Sequence, residues 1–154
     1  MKQLKKKLMI EQMDAKLKEF TPLLKNQSPE GGWINAIRIS LKMSFRQFGD
    51  RMNVTPQGAE GMEKREKDGS ISLKSLEEAG RALNMKLVYG FVPMEGSIQE
   101  TIENRARKLA LDIVRTTSNT MTLEDQENTN ERLKKAVEDK TKQLLYEMPR
   151  HLWD

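Results

Sequence analysis

The chain has 154 residues, of which 36% are hydrophobic and 32% charged, with a formal net charge of +4 and no cysteine. That profile suits a soluble, helix-rich domain with appendages and excludes a disulfide framework or a thiolate metal site. No apolar run approaches the roughly 18 residues of a membrane span, and the apolar run Leu8-Met9-Ile10 is too short for a signal peptide, so a cytoplasmic protein is expected.

The first segment, residues 1–31, predicts an amphipathic helix from about Lys2 to Phe20, followed by a loop. Met9, Met13, Leu17 and Phe20 recur at helical spacing and form its apolar face. Thr21-Pro22 ends the helix, and KNQSPEGG (residues 25–32) is rich in turn residues.

The second segment, residues 32–93, predicts a string of short helices. Trp33, Ile34, Ile37 and Leu41 form the inner face of the first. Ser44 and Gln47 have the spacing of a capping box before the second, whose apolar positions are Phe45, Phe48 and Met52. A tight turn at Asn53-Val54 leads to a third helix, capped by Thr55 with Pro56 in its first turn. Ala59, Met62 and the stem of Arg65 are expected to pack inward. Ser72 caps a fourth helix with Leu73, Leu76, Ala79 and Leu83 toward the core. Two short helices joined by a tight turn are a helix-turn-helix, the module that presents one exposed helix to the DNA major groove. The segment closes on KLVYGFVP (residues 86–93), a β-rich run predicted as the one short strand. A lone strand leaves backbone groups unpaired. Either it pairs with its copy in a second subunit or it lies on the helical core as an extended arm.

The third segment, residues 94–154, predicts two helices. Ser97 and Glu100 begin the first, lined by Ile98, Ile102, Leu109 and Ile113. A polar break covers 116–131. The last helix runs from about Asn130 to Met148 with Leu133, Val137, Leu144 and Met148 on one face.

The candidate DNA-binding residues are Arg46, Gln47, Thr55, Gln57, Gly58, Glu60, Gly61, Lys64 and Arg65. Gln57 sits near the start of the expected recognition helix, and a glutamine amide bonds adenine N6 and N7 in a bidentate pair; the alternative is a solvated polar position. Arg46, Lys64, Arg65 and Lys67 flank it, where phosphates are contacted. Gly58 either lets the backbone approach the groove closely or, like Gly61, marks a module whose DNA contacts have weakened. Glu60 repels phosphates unless it accepts from a cytosine amine. Charge follows the same division: residues 32–93 hold 10 Lys/Arg against 7 Asp/Glu, whereas 94–154 hold 10 against 12. The excess is where phosphate neutralisation needs it. His151 is the single histidine, and no phosphate-binding glycine loop is present, so no catalysis and no cofactor are expected. Trp153 either folds back onto the helices or anchors a partner.

MSFRQFGDRMNVTPQGAEGME (residues 43–63) resembles the Xre/Cro phage-repressor type of helix-turn-helix, with glycine at 58 and 61 where serine or larger polar residues are usual. The wider layout resembles the bacterial mobile mystery protein A family, through WINAIR, EKREKDGSISLKSL, KLVYGFVP, TMTLEDQ and the final LWD. The resemblance implies an antitoxin and autorepressor paired with a Fic-domain protein that transfers AMP. Antitoxins of Fic enzymes often carry Ser/Thr-x-x-x-Glu-Gly/Asn, whose glutamate occupies the arginine that should bind the ATP γ-phosphate. Thr120 to Glu124 matches the first five places, and Asp125 stands at the sixth. A carboxylate pairs bidentately with an arginine, so the resemblance implies Thr120 and Glu124 as the toxin-inhibitory pair.

The expectation is a mainly α protein with an Xre-type helix-turn-helix core, one short β-strand and a helical C-terminal region. Its partners are a double-stranded DNA operator, a Fic-domain toxin and a second copy of itself, with no membrane. The alternatives are a simple dimeric regulator without a toxin, and a protein-binding module that has lost DNA.

Overall fold

The computed structural model describes residues 1–118 and 126–154. It is mainly helical, with α1 (Lys2–Lys18), α2 (Trp33–Ser40), α3 (Phe45–Met52), α4 (Pro56–Asp68), α5 (Leu73–Ala82), α6 (Ile98–Ser118) and α7 (Gln126–Glu147), and 3-10 turns at Thr21–Lys25 and Arg150–Trp153. No described helix is long and apolar enough to cross a membrane. The chain divides into two compact units. One is Pro22–Gly90; the other joins Met1–Thr21 to Phe91–Asp154, so α1 belongs with the C-terminal helices rather than forming a segment with the following loop.

The expected strand is not seen. Residues 85–93 carry no regular secondary structure, and no strand occurs among the described residues. Local β propensity cannot form a ladder without a second strand to supply its hydrogen bonds. Val88, Tyr89 and Phe91 are left exposed.

The Pro22–Gly90 unit packs α2 to α5 around Ile34, Phe48, Ala59, Ala79 and Leu83. Leu41 and Leu73 were expected inside; both are exposed, Leu73 by 54%. Leu41 lies just past the end of α2, and Leu73 is the first residue of α5, where a side chain projects beyond the packed turns. Arg65 was also expected to tuck its stem inward but is exposed. Its neighbours Glu63 and Glu66 face the interior instead. Glu63 accepts hydrogen bonds from Arg38 and Asn35. Glu66 caps α2 from another helix, accepting the N–H groups of Trp33 at 3.1 Å and Ile34 at 2.8 Å. Gly32, the residue before α2, has no side chain to do this.

In the other unit, α6 lays Ile102, Ala106 and Ala110 at four-residue steps against Leu144 of α7 and Leu152. The small residues let the helices approach closely, while Ile98, Leu109, Val137 and Met148 flank the core as their spacing suggests. α1 is rotated from its expected setting. Met9 and Met13 are exposed, and Ile10 packs on this core instead. Asp14, one turn on, accepts the N–H groups of Ile98 at 2.7 Å and Gln99 at 3.2 Å. With Ser97 Oγ taking the N–H of Glu100 at 3.0 Å, three orphan donors at the start of α6 are satisfied.

Candidate nucleic-acid interface

α3 and α4 are joined by only three residues, Asn53, Val54 and Thr55. Asn53 ends α3 in the left-handed region at φ 57°, which asparagine tolerates better than most residues. The turn then passes hard against Gly49. A β-carbon there would stand 2.7 Å from the Val54 carbonyl oxygen, so only glycine allows the approach.

The caps of both helices form as their sequences suggest. Gln47 N–H donates to Ser44 Oγ at 3.1 Å, and Ser44 N–H donates back to Gln47 Oε1 at 2.8 Å. Gly58 N–H donates to Thr55 Oγ1 at 3.0 Å. Gln47 and Thr55 are thus committed to the helix ends, yet each keeps free donor hydrogens for a phosphate: the Gln47 amide NH₂ and the Thr55 hydroxyl.

α4 has two chemically distinct faces. Ala59 and Glu63 are buried, with Met62 and Glu66 half-buried beside them. Opposite lie Gln57, Glu60, Gly61, Lys64 and Arg65, separated by the three- and four-residue steps of one exposed stripe. The side chains of Gln57, Glu60, Lys64 and Arg65 make no hydrogen bond or ion pair with any described residue. The stripe therefore offers an amide, a carboxylate, an ammonium and a guanidinium, each held by no other side chain and each open to solvent. Arg46, at the start of α3, is exposed but pairs with Asp50 at 3.2 Å. Exposed pairs of this kind contribute little, so Arg46 is readily diverted to a phosphate.

The two glycines have different reasons. A β-carbon on Gly58 would sit 3.3 Å from Thr55 Oγ1 and 3.4 Å from Val54 Cβ, so packing against the turn favours glycine there. Gly61 is different: its β-carbon would meet only the flexible end of Arg65, at 3.3 Å. Nothing in the fold demands glycine at 61, and it leaves a notch midway along the exposed stripe.

Sequence reasoning missed Arg38. It is buried in α2, donates through Nε and Nη2 to Glu63 and through Nη1 to the Met43 carbonyl at 2.8 Å, and lies 4.0 Å from the centre of the Phe45 ring. This residue joins α2, the start of α3 and α4. A signal was present: Glu63 shares the inward face of α4 with Ala59, and an inward carboxylate requires a cation.

In the other unit, Trp153 is 56% exposed, whereas its neighbour Leu152 is fully buried. The Arg105 guanidinium donates to the carbonyls of Leu152 and Asp154, on either side of Trp153. The backbone is gripped at both flanks while much of the indole stays in solvent. Beside it lies an apolar groove of about 280 Å³ lined by Leu17, Phe91, Pro93, Ile98 and Ile102. Thr120 and Glu124 lie outside the described residues. No group of histidine, cysteine or carboxylate side chains among the described residues could hold a metal ion.

No protein-family model, curated protein or solved structure matches the chain.

Proposed function

We propose that this protein is a DNA-binding antitoxin that represses its own operon and neutralises a Fic-domain toxin by direct binding. The observation that carries the DNA half is the outer stripe of α4. Unpaired Gln57, Lys64 and Arg65 stand on a helix held by its opposite face and approached through a three-residue turn. In this reading α4 is the recognition helix of an Xre-type helix-turn-helix. Gln57 reads an adenine, and Arg46, Lys64, Arg65 and the free donors of Gln47 and Thr55 engage the phosphates. Operator palindromy calls for two copies of the chain. The exposed side chains of Val88 and Tyr89 supply apolar surface for that association.

The toxin half rests on the resemblance of the chain to the mobile mystery protein A family, and Thr120 and Glu124 are assigned on that ground alone. Trp153 adds a physical reason to place a protein partner on the C-terminal helices. Interface hot spots are enriched in tryptophan, and an anchor whose backbone is already held loses little entropy on binding.

Two measurements on the full chain test the proposal. Binding to its own promoter DNA is expected to weaken steeply with salt, log K falling by about 0.9 per phosphate contact for each unit of log salt. Purification of the tagged chain from its native cell at low expression is expected to bring down a Fic-domain protein in stoichiometric amount. A homodimer with DNA and no such protein leaves a simple transcriptional regulator. A Fic-domain partner without salt-sensitive DNA binding leaves a protein-binding module.

A further inference from the structure

Glu60 is the residue on the outer stripe of α4 that phosphate binding does not explain. Its carboxylate is exposed and precedes Lys64 by four residues, the order and spacing at which glutamate and lysine pair best on a helix. No such pair forms, nor any other bond from Glu60 to a described residue. Gln57 lies three residues earlier on the same side. With a helical rise of about 1.5 Å per residue, the two side chains leave the axis about 4.5 Å apart, near enough to meet neighbouring base pairs.

A carboxylate in the major groove accepts hydrogen bonds and donates none. Cytosine offers it the N4 amine. Adenine sets its amine beside the N7 acceptor, while guanine O6 and N7 and thymine O4 are acceptors that repel it. We infer that Glu60 is a specificity-determining residue that selects cytosine at the base pair next to the one read by Gln57. The selection is partly repulsive. Wherever cytosine is missing, the carboxylate is desolvated without a donor and adds its charge to that of the phosphates. Gly61 assists, because the notch beside Glu60 lets the short carboxylate reach the base edge.

This inference rests on the DNA-binding reading and gives it a chemical identity. The test is enrichment of a randomised duplex library by the intact protein, comparing wild type with Glu60→Ala and Glu60→Gln. Wild type is expected to yield a motif with cytosine at one position beside an adenine. Glu60→Ala is expected to lose that cytosine preference by roughly tenfold, keep the rest of the motif, and bind non-specific DNA more tightly than wild type. Glu60→Gln, which gains a donor, is expected to move the preference at that position toward adenine. Retained cytosine preference in Glu60→Ala overturns the inference. So does a rise in affinity that is equal for all sequences, which would make Glu60 a repulsive charge only. If Gln57→Ala and Lys64→Ala weaken binding in either of those cases, the DNA reading survives and the role of Glu60 alone falls. If wild type enriches no motif at all, both fall together.

Discussion

Replacing Glu63 with alanine tests the logic of the buried link between α2 and α4. The side chains of Arg38 and Glu63 are only 11% and 7% exposed. Glu63 takes bonds from Arg38 Nε and Nη2 and from Asn35 Nδ2. Without it, Arg38 retains the Met43 carbonyl and the Phe45 ring, neither of which neutralises its charge. Breaking a buried pair from one side costs about 3–5 kcal/mol. A unit of about seventy residues is stable by only about 3–10 kcal/mol, so Glu63→Ala is expected to remove much of its stability. Removing both charges in Arg38→Met/Glu63→Leu leaves no buried charge unpaired, only the Asn35 amide and the Met43 carbonyl without their partners, and is expected to lie within about 2 kcal/mol of the parent. The assay is urea denaturation of the full chain in a Trp153→Phe background, where Trp33 reports on the Pro22–Gly90 unit alone. A double variant as unstable as Glu63→Ala, or a single variant losing under about 1 kcal/mol, would refute the reasoning.

Three further outcomes follow from the packing. Leu152→Ala empties a fully buried position and is expected to cost about 2–5 kcal/mol, read as loss of the Trp153 signal at lower urea in a Trp33→Phe background. Asp14→Ala uncaps two N–H groups of α6 and is expected to cost about 1 kcal/mol in the same assay; an unchanged midpoint would show that water replaces the cap freely. Gly61→Ala is expected to stabilise the Pro22–Gly90 unit by up to about 1 kcal/mol, because nothing but the tip of Arg65 opposes the new methyl. On the proposed DNA-binding reading, the same variant is expected to bind operator DNA less well by filling the notch, so a parallel gain in stability and affinity would argue against close approach there.

Legibility in the sequence followed the range of the interaction. The caps at Ser44, Thr55, Ser72 and Ser97 form as their spacing indicates, because donor and acceptor lie three residues apart. The candidate interface stripe on α4 was legible for the same reason, since a helical repeat carries Gln57, Glu60 and Lys64 to one side. Arg38 and Glu63 are 25 residues apart, and a pattern of apolar residues is blind to charges that bury one another. α1 carries two overlapping sets at helical spacing, Met9-Met13 and Ile10-Asp14. Apolarity favours the first, yet the second turns inward, half-buried, because Asp14 has donors waiting in α6. The 86–93 run shows the opposite error: strong β propensity with no neighbouring strand to satisfy it.

The inner face of α4 carries a consequence for its outer one. Glu63 and Glu66 tie the helix to α2 at two points one turn apart, and Ala59 seats it a turn earlier. A cylinder pinned along its length cannot roll, so the direction in which each outer residue aims is set by bonds on the far side. The outer residues themselves hold nothing in place. They behave as interchangeable type in a fixed printing block: their letters can be exchanged, one or several at a time, while the frame that aligns them stays intact. On the proposed DNA-binding reading, new operator preferences are therefore accessible to this scaffold by substitution at 57, 60, 61 and 64 alone.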